Sequence, residues 1–217
     1  MARFKNFCLA TLLLGVWCIP ASAQFTSGSS GSDSRAQHFN QHVLPKAIQL
    51  LQGSLRSGVA FQGAQGKRLD PNRLFLLSDY QPRVYNVRFG SAGYNNGVEM
   101  FIRGLSASVT GGSRHTIFQN VKSFGSGDFV DLGIQKAGTL IDPILIVNQT
   151  SLRWYTNDSS NSDGKQHVIA YLMDDGFVLL GWEDLPNLGD RDYEDVCFVL
   201  DLGVKNTEQY EEPNLPH

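Results

Sequence analysis

Cysteine is scarce in this chain: three in 217 residues, and two of these, Cys8 and Cys18, stand in an apolar N-terminal run. Without that run Cys197 is alone, which excludes an internal disulfide. Basic charge is also short. Eighteen Lys and Arg face 21 Asp and Glu, so there is no surplus for the basic patch that a nucleic-acid binder needs. After the N-terminal run no apolar segment reaches spanning length, so no transmembrane segment is expected in the mature chain. No fixed-period repeat is present.

What the N-terminus does have is the grammar of an export signal. Arg3 and Lys5 are followed by FCLATLLLGVWCIP and by the small residues Ala21 to Ala23. This predicts a signal peptide over 1–23, cleavage before Gln24, and a secreted, periplasmic or cell-surface location. Trp17 before Cys18 argues against a lipoprotein signal, which wants a small residue there. The leader holds two bases and no acid, so its removal takes the net charge from −3 to near −5. An exported fold without disulfides must be held by its core or by a metal.

Residues 24–36 are rich in Gly and Ser (TSGSSGSDSR) and read as a linker. Residues 37–70 read as a helical arm. Phe39, Val43, Ile48, Leu51 and Leu55 recur near helical spacing, and Pro45 suits a first turn, which places a short amphipathic helix over about 45–56. His38 and His42 are read as solvated. From 71 to 205 the texture is β. RVYNVRF and VEMFIRG flank the turn-rich GSAGYNNG and read as a hairpin with a long loop. HTIFQNV, DFVDLGI, PILIVNQ and SLRWYT are further strands. HVIAYLM and FVLLGW pair through Asp174-Asp175-Gly176, and DVCFVLDLGV follows. These last three are apolar on both faces: Val196, Phe198, Leu200 and Leu202 on one side of the final strand, Cys197 and Val199 on the other. Strands of that kind belong in a covered sheet. The expected fold is an all-β antiparallel sandwich, jelly-roll-like, with a short N-terminal helix and an acidic tail over 206–217.

Charge is unevenly placed. GWEDLPNLGDRDYEDVCF packs six acids between Glu183 and Asp195, with Arg191 the only base among them. If the strands over 167–173 and 177–182 pair antiparallel, His167 lies beside Trp182, and the loops 157–166 and 183–194 leave the sheet at one end. Asp158, Asp163, Glu183, Asp184, Asp190, Asp192 and Asp195 then fall near one another, while Asp174 and Asp175 go to the opposite end. Two carboxylates 4 Å apart repel by roughly 4 kcal/mol at an effective dielectric of about 20. A hard cation among them is the simplest neutralisation, and Ca²⁺ takes six to eight oxygens. The expected ligands are Glu183, Asp184, Asp190, Asp192 and Asp195, with Asp163 from the neighbouring loop. The EF-hand pattern is absent: counted from Asp190, its obligatory Gly falls on Asp195. Gly189 permits a tight bend before the pair.

The same stretch resembles the signature of a bacterial family known as domain of unknown function 4114, approximately G-[FW]-E-D-L-P-x-x-G-D-x-D-[YF]-[NE]-D before an apolar strand. SDGKQHV (162–168) resembles the segment that precedes that signature, and SAGYNN (91–96) resembles a turn in the wider pattern. The likeness extends over 84–204 and is strongest over 162–202. It implies an exported bacterial protein associated with surface attachment or carbohydrate, with recurring acids that suit an enzymic site or a cation site. Asn187-Leu188 and Glu194 depart from the commoner residues without removing a ligand.

Three functions follow from these residues. One is a secreted, calcium-stabilised binding module whose partner is a cell-surface glycan or an envelope protein. Another is a glycosidase-like hydrolase, with Glu183 as the protonated acid and Asp192 or Asp195 opposite. The last is a purely structural envelope protein whose acidic loop is only solvated. Cys197, inside a strand, is not expected to be a nucleophile.

Overall fold

The computed structural model of the protein describes residues 25–54, 67–88, 93–104 and 112–210. The expected leader over 1–23, Leu55 and residues 211–217 of the expected acidic tail lie outside these. No helix among the described residues is long and apolar enough to cross a membrane.

Eleven strands are present among the described residues: β1 (Thr26–Gly28), β2 (Lys67–Leu69), β3 (Arg83–Val87), β4 (Gly97–Gly104), β5 (Ser113–Phe118), β6 (Phe129–Asp131), β7 (Thr139–Ile146), β8 (Arg153–Tyr155), β9 (Val168–Leu172), β10 (Phe177–Trp182) and β11 (Val196–Asp201). They form two antiparallel sheets. The larger has the order β1-β6-β3-β11-β10-β9-β2 and the smaller β5-β4-β7-β8. A jelly roll divides eight strands into two Greek keys; here the split is seven and four, with β9, β10 and β11 a simple meander.

The two-faced strands explain the layering. Val196, Phe198, Leu200 and Leu202 point into a core shared with Met100, Ile141 and Trp154 of the smaller sheet. Cys197 and Val199 point the other way, into a second core with Phe39, Val43, Ala47 and Leu51. The cover on that second face is helical. Helix α1 (Ser34–His38), a π-helical turn (Phe39–Val43) and α2 (Leu44–Ser54) run on without a break. Phe39 stacks on Tyr85 of β3, centroids 3.9 Å apart and planes 9° from parallel. The fold is therefore sandwich-like but not purely β, and the helix is longer than the expected 45–56. Pro45 does not start it. Pro45 cannot donate a hydrogen bond, and the π turn before it absorbs the irregularity, with the Leu44 amide bonded to the Phe39 carbonyl. The true start is Asp33, whose carboxylate accepts from the Ala36 amide at 2.9 Å and pairs with Arg83 at 2.7 Å.

Two further expectations are corrected. Thr26–Gly28, read as linker, pair with Asp131–Phe129 as an edge strand. The 83–104 segment is not a hairpin: β3 pairs with β11 and β6 in the larger sheet, β4 with β5 and β7 in the smaller. Both strands alternate correctly, but local alternation does not say which sheet a strand joins.

The meander pairs as expected, with the register shifted by one residue from the expected partnership of His167 and Trp182. Trp182 lies opposite Val168 on one side and Val196 on the other. Asp175 and Gly176 both take positive φ in the turn between β9 and β10. The loops before β9 and after β10 thus leave the sheet together, and Asp174 pairs with Lys46 at the other end.

Candidate metal centre

The acidic loop is anchored at its first two residues. Glu183 and Asp184 continue from β10 and are only 1% and 3% exposed. Their backbone is bonded on every side. The Glu183 amide donates to the His167 carbonyl at 2.9 Å, and the Asp184 amide to Asp195 Oδ2 at 2.9 Å. The Glu183 carbonyl meets His167 Nδ1 at 2.9 Å, and the Asp184 carbonyl accepts from Trp154 Nε1 at 2.8 Å. The His167 and Trp154 rings stack, centroids 3.7 Å apart. Trp154 comes from β8, so both sheets hold this dipeptide.

His167 Nε2 faces the Asp163 carboxylate at 3.0 Å. Carbonyl and carboxylate oxygens only accept, so both contacts are hydrogen bonds when the ring carries both protons. Asp163 also accepts from the Asn187 amide at 2.7 Å. The pKa of its carboxyl lies below the ordinary value: burial pushes it up, and the bonds from Asn187 and His167 outweigh that. Asp163 thus ties the two loops together with its oxygens already engaged.

Beyond Asp184 the chain makes an unusual turn. Asn187, Leu188, Gly189, Arg191 and Tyr193 all have positive φ. A non-glycine residue there costs roughly 1–3 kcal/mol unless its surroundings compensate. Local bonds hold the shape: the Leu188 amide to the Leu185 carbonyl at 3.1 Å, the Arg191 amide to the Leu188 carbonyl at 2.9 Å, and Tyr193 Oη to the Gln166 carbonyl at 3.1 Å. Gly189, with φ 38° and ψ −121°, is required for a second reason. A Cβ there would come within 2.5 Å of Glu183 Oε1.

This turn folds the later acids back onto Glu183. Two sets form: Glu183 with Asp184 and Asp195, and Glu183 with Asp190 and Asp192. In each set one oxygen per residue lies within 4.8 Å of the others. Two oxygens on opposite sides of a Ca²⁺ at 2.3–2.6 Å stand about 5 Å apart, so each set has a suitable spread. Asp163 and Asp158 are in neither set. Arg191 is exposed and forms no ion pair with a described acid.

The electrostatic strain concentrates on Glu183. Burial, and then the Asp195 carboxylate, raise its pKa to about 8. Asp184 is raised to about 6, by burial and against the lowering effect of Asn96, which donates to Asp184 Oδ2 at 2.6 Å. Asp192 is raised by burial and by Asp190 and Asp195. Glu183 Oε2 is buried with no hydrogen-bond partner among the described residues. Cys197 lies behind the loop, its thiol pKa raised by burial and the neighbouring acids, which leaves it no use as a nucleophile.

Sequence reasoning brought the acids to one end but missed Asn96, Trp154 and the His167 contacts. His167 was within reach, because the expected pairing with Trp182 is only one residue from the observed register, in which His167 faces Glu183. Trp154 and Asn96 come from the other sheet, and nothing local to them signals the contact.

No curated protein and no solved structure matches the chain. Residues 136–203 match the family described as domain of unknown function (DUF4114). The matched span runs from the approach to β7 to the end of β11 and includes Trp154, Asp163, His167 and all the acids of the two sets. It excludes Asn96 and the helix, and is shorter than the likeness over 84–204. Residues 136–203 are thus similar to that family, and the buried carboxylates that could hold a metal lie inside the matched span.

Proposed function

We propose that the loop from Glu183 to Asp195 is a calcium-class cation site that braces one end of an exported β-sheet module, whose role is binding or surface association. The observation that carries this reading is Glu183 Oε2: a buried carboxylate oxygen without a donor, shared by two sets of acids. A buried charge needs a partner, and Arg191 does not supply one. A divalent ion would replace the proton that Glu183 otherwise keeps, and would take its remaining oxygens from carboxylates, carbonyls and water. With Glu183 and Asp184 fixed by both sheets, the ion would join the strand ends to the loop crest.

Export supports calcium as the ion, since extracellular modules work at Kd about 10⁻⁴–10⁻³ M. A surface glycan or an envelope protein is the partner class that fits this location. The glycosidase reading is less well supported. Its general acid would be Glu183, whose raised pKa suits the role, but a residue 1% exposed offers no face to a sugar.

The test is thermal unfolding of the full chain in chelator, calcium and magnesium. At about 5 mM calcium the stabilisation should be roughly 1–2 kcal/mol, a rise of about 2–8 °C. Magnesium should do less, and Asp190→Ala with Asp192→Ala should weaken the response. No shift in millimolar calcium would overturn the reading.

A further inference from the structure

We propose that the loop takes two hard divalent cations, with the Glu183 carboxylate bridging them. This rests on the cation reading above and goes beyond it in stoichiometry and in the role given to Glu183.

The two sets of acids share only Glu183. They also differ in construction. The inner set is rigid: Asp184 is held by Asn96 and Trp154, and Asp195 accepts from the Asp184 amide. The outer set is carried by the positive-φ turn, with Asp190 exposed and Asp192 half-buried. Glu183 is wedged between them. Its Oε1 lies against Gly189, where a Cβ would come within 2.5 Å. Its Oε2 receives no hydrogen bond from a donor although the residue is 1% exposed, and the side chain's neighbour there, Asp195, is another carboxylate. A buried oxygen without a donor is an independent sign of a missing ligand at this point, apart from the number of acids.

Oxygen count and charge both favour two ions. Five carboxylates carry more oxygens than the six to eight that one calcium accepts. Five negative charges around one divalent ion leave a net of about −3 beside buried side chains; around two ions they leave about −1, which Born solvation tolerates far better. A carboxylate with an oxygen for each ion is the simplest group to sit between them.

Calcium bound per chain is measured on the chelator-stripped full chain by equilibrium dialysis and by calorimetric titration. The expected ratio is two for the wild type and one for Asp190→Asn/Asp192→Asn, which keeps the inner set. Asp195→Asn, which keeps the outer set, should also give one. Glu183→Gln should weaken both ions at least tenfold. A wild-type ratio of one overturns the bridging proposal and leaves a single cation site standing. A ratio of zero overturns the cation reading itself. A ratio of two that persists in the Asp190/Asp192 variant places the second ion elsewhere and overturns the bridge. The wild-type ratio needs no variant to fold, so it decides the first question alone.

Discussion

Replacing Glu183 by Gln should stabilise the cation-free protein at pH 8 and weaken its response to calcium. Burial and Asp195 move the Glu183 pKa from an ordinary 4.5 to about 8. Between those values the folded chain holds a proton that the unfolded chain has released. An acid raised in this way contributes fully below about pH 4.5, and its contribution is lost as pH climbs through about 8. For a residue this buried the loss is on the order of 3–5 kcal/mol over that window. Asp184, raised from 3.8 to about 6, acts in the same direction at the lower end. Asp33 acts in the opposite sense: Arg83 lowers it to about 2, so its contribution is lost only as pH falls below about 4. In chelator, wild-type stability should therefore decline from about pH 5 to pH 8. The Gln variant has no proton to lose there and should decline much less, overtaking wild type near the top of the range. Calcium binds the ionised carboxylate, so its stabilisation of the wild type should grow with pH and be much smaller in the variant. Urea denaturation across this range, with chelator or calcium, measures both effects. A wild-type curve in chelator that is flat or rising, or a Gln variant weaker than wild type near pH 8, would refute the reasoning.

Other perturbations separate the site from the fold. Gly189→Ala puts a Cβ against Glu183 Oε1 at a backbone position that L-residues avoid; a loss of about 1–3 kcal/mol and weaker calcium binding should appear together in denaturation and titration. Trp154→Phe keeps most of the ring but removes the donor to the Asp184 carbonyl; stability should fall by about 1–3 kcal/mol, and calorimetry should show reduced calcium affinity. Phe39→Ala empties the stack on Tyr85 on the far face of the larger sheet; it should cost about 3–5 kcal/mol and leave calcium affinity unchanged in protein that remains folded.

The parts of the fold that were legible in the sequence are those set by local periodicity. The alternation of Val196, Phe198, Leu200 and Leu202 with Cys197 and Val199 announced two covered faces. The turn Asp174-Asp175-Gly176 fixed a register that carries directly to the acidic loop. What covers the second face was not legible, because Pro45 reads as a helix start when only neighbouring residues are weighed. The π turn that lets the helix pass Pro45 is stabilised by packing of Phe39 on Tyr85 and Phe177, which are distant in sequence. β1 was hidden for a related reason. Thr26–Gly28 have little strand character of their own and are ordered by β6. The hairpin error over 83–104 shows the same limit, since partner choice between sheets is a long-range matter. In the site, the gathering of the acids followed from register. The clamp made by Trp154 and Asn96 depends on how the two sheets meet, which no spacing within the chain encodes.

Terbium luminescence addresses the central claim most directly. Tb³⁺ substitutes for Ca²⁺ at oxygen sites, and Trp154 and Trp182 flank the Glu183-Asp184 dipeptide closely enough to sensitise it. Titration of the full chain should give saturable terbium emission excited through tryptophan. Calcium should displace it, and Asp190→Asn/Asp192→Asn should reduce it. Absence of sensitised emission, or emission that millimolar calcium leaves untouched, would contradict a calcium-class site in this loop.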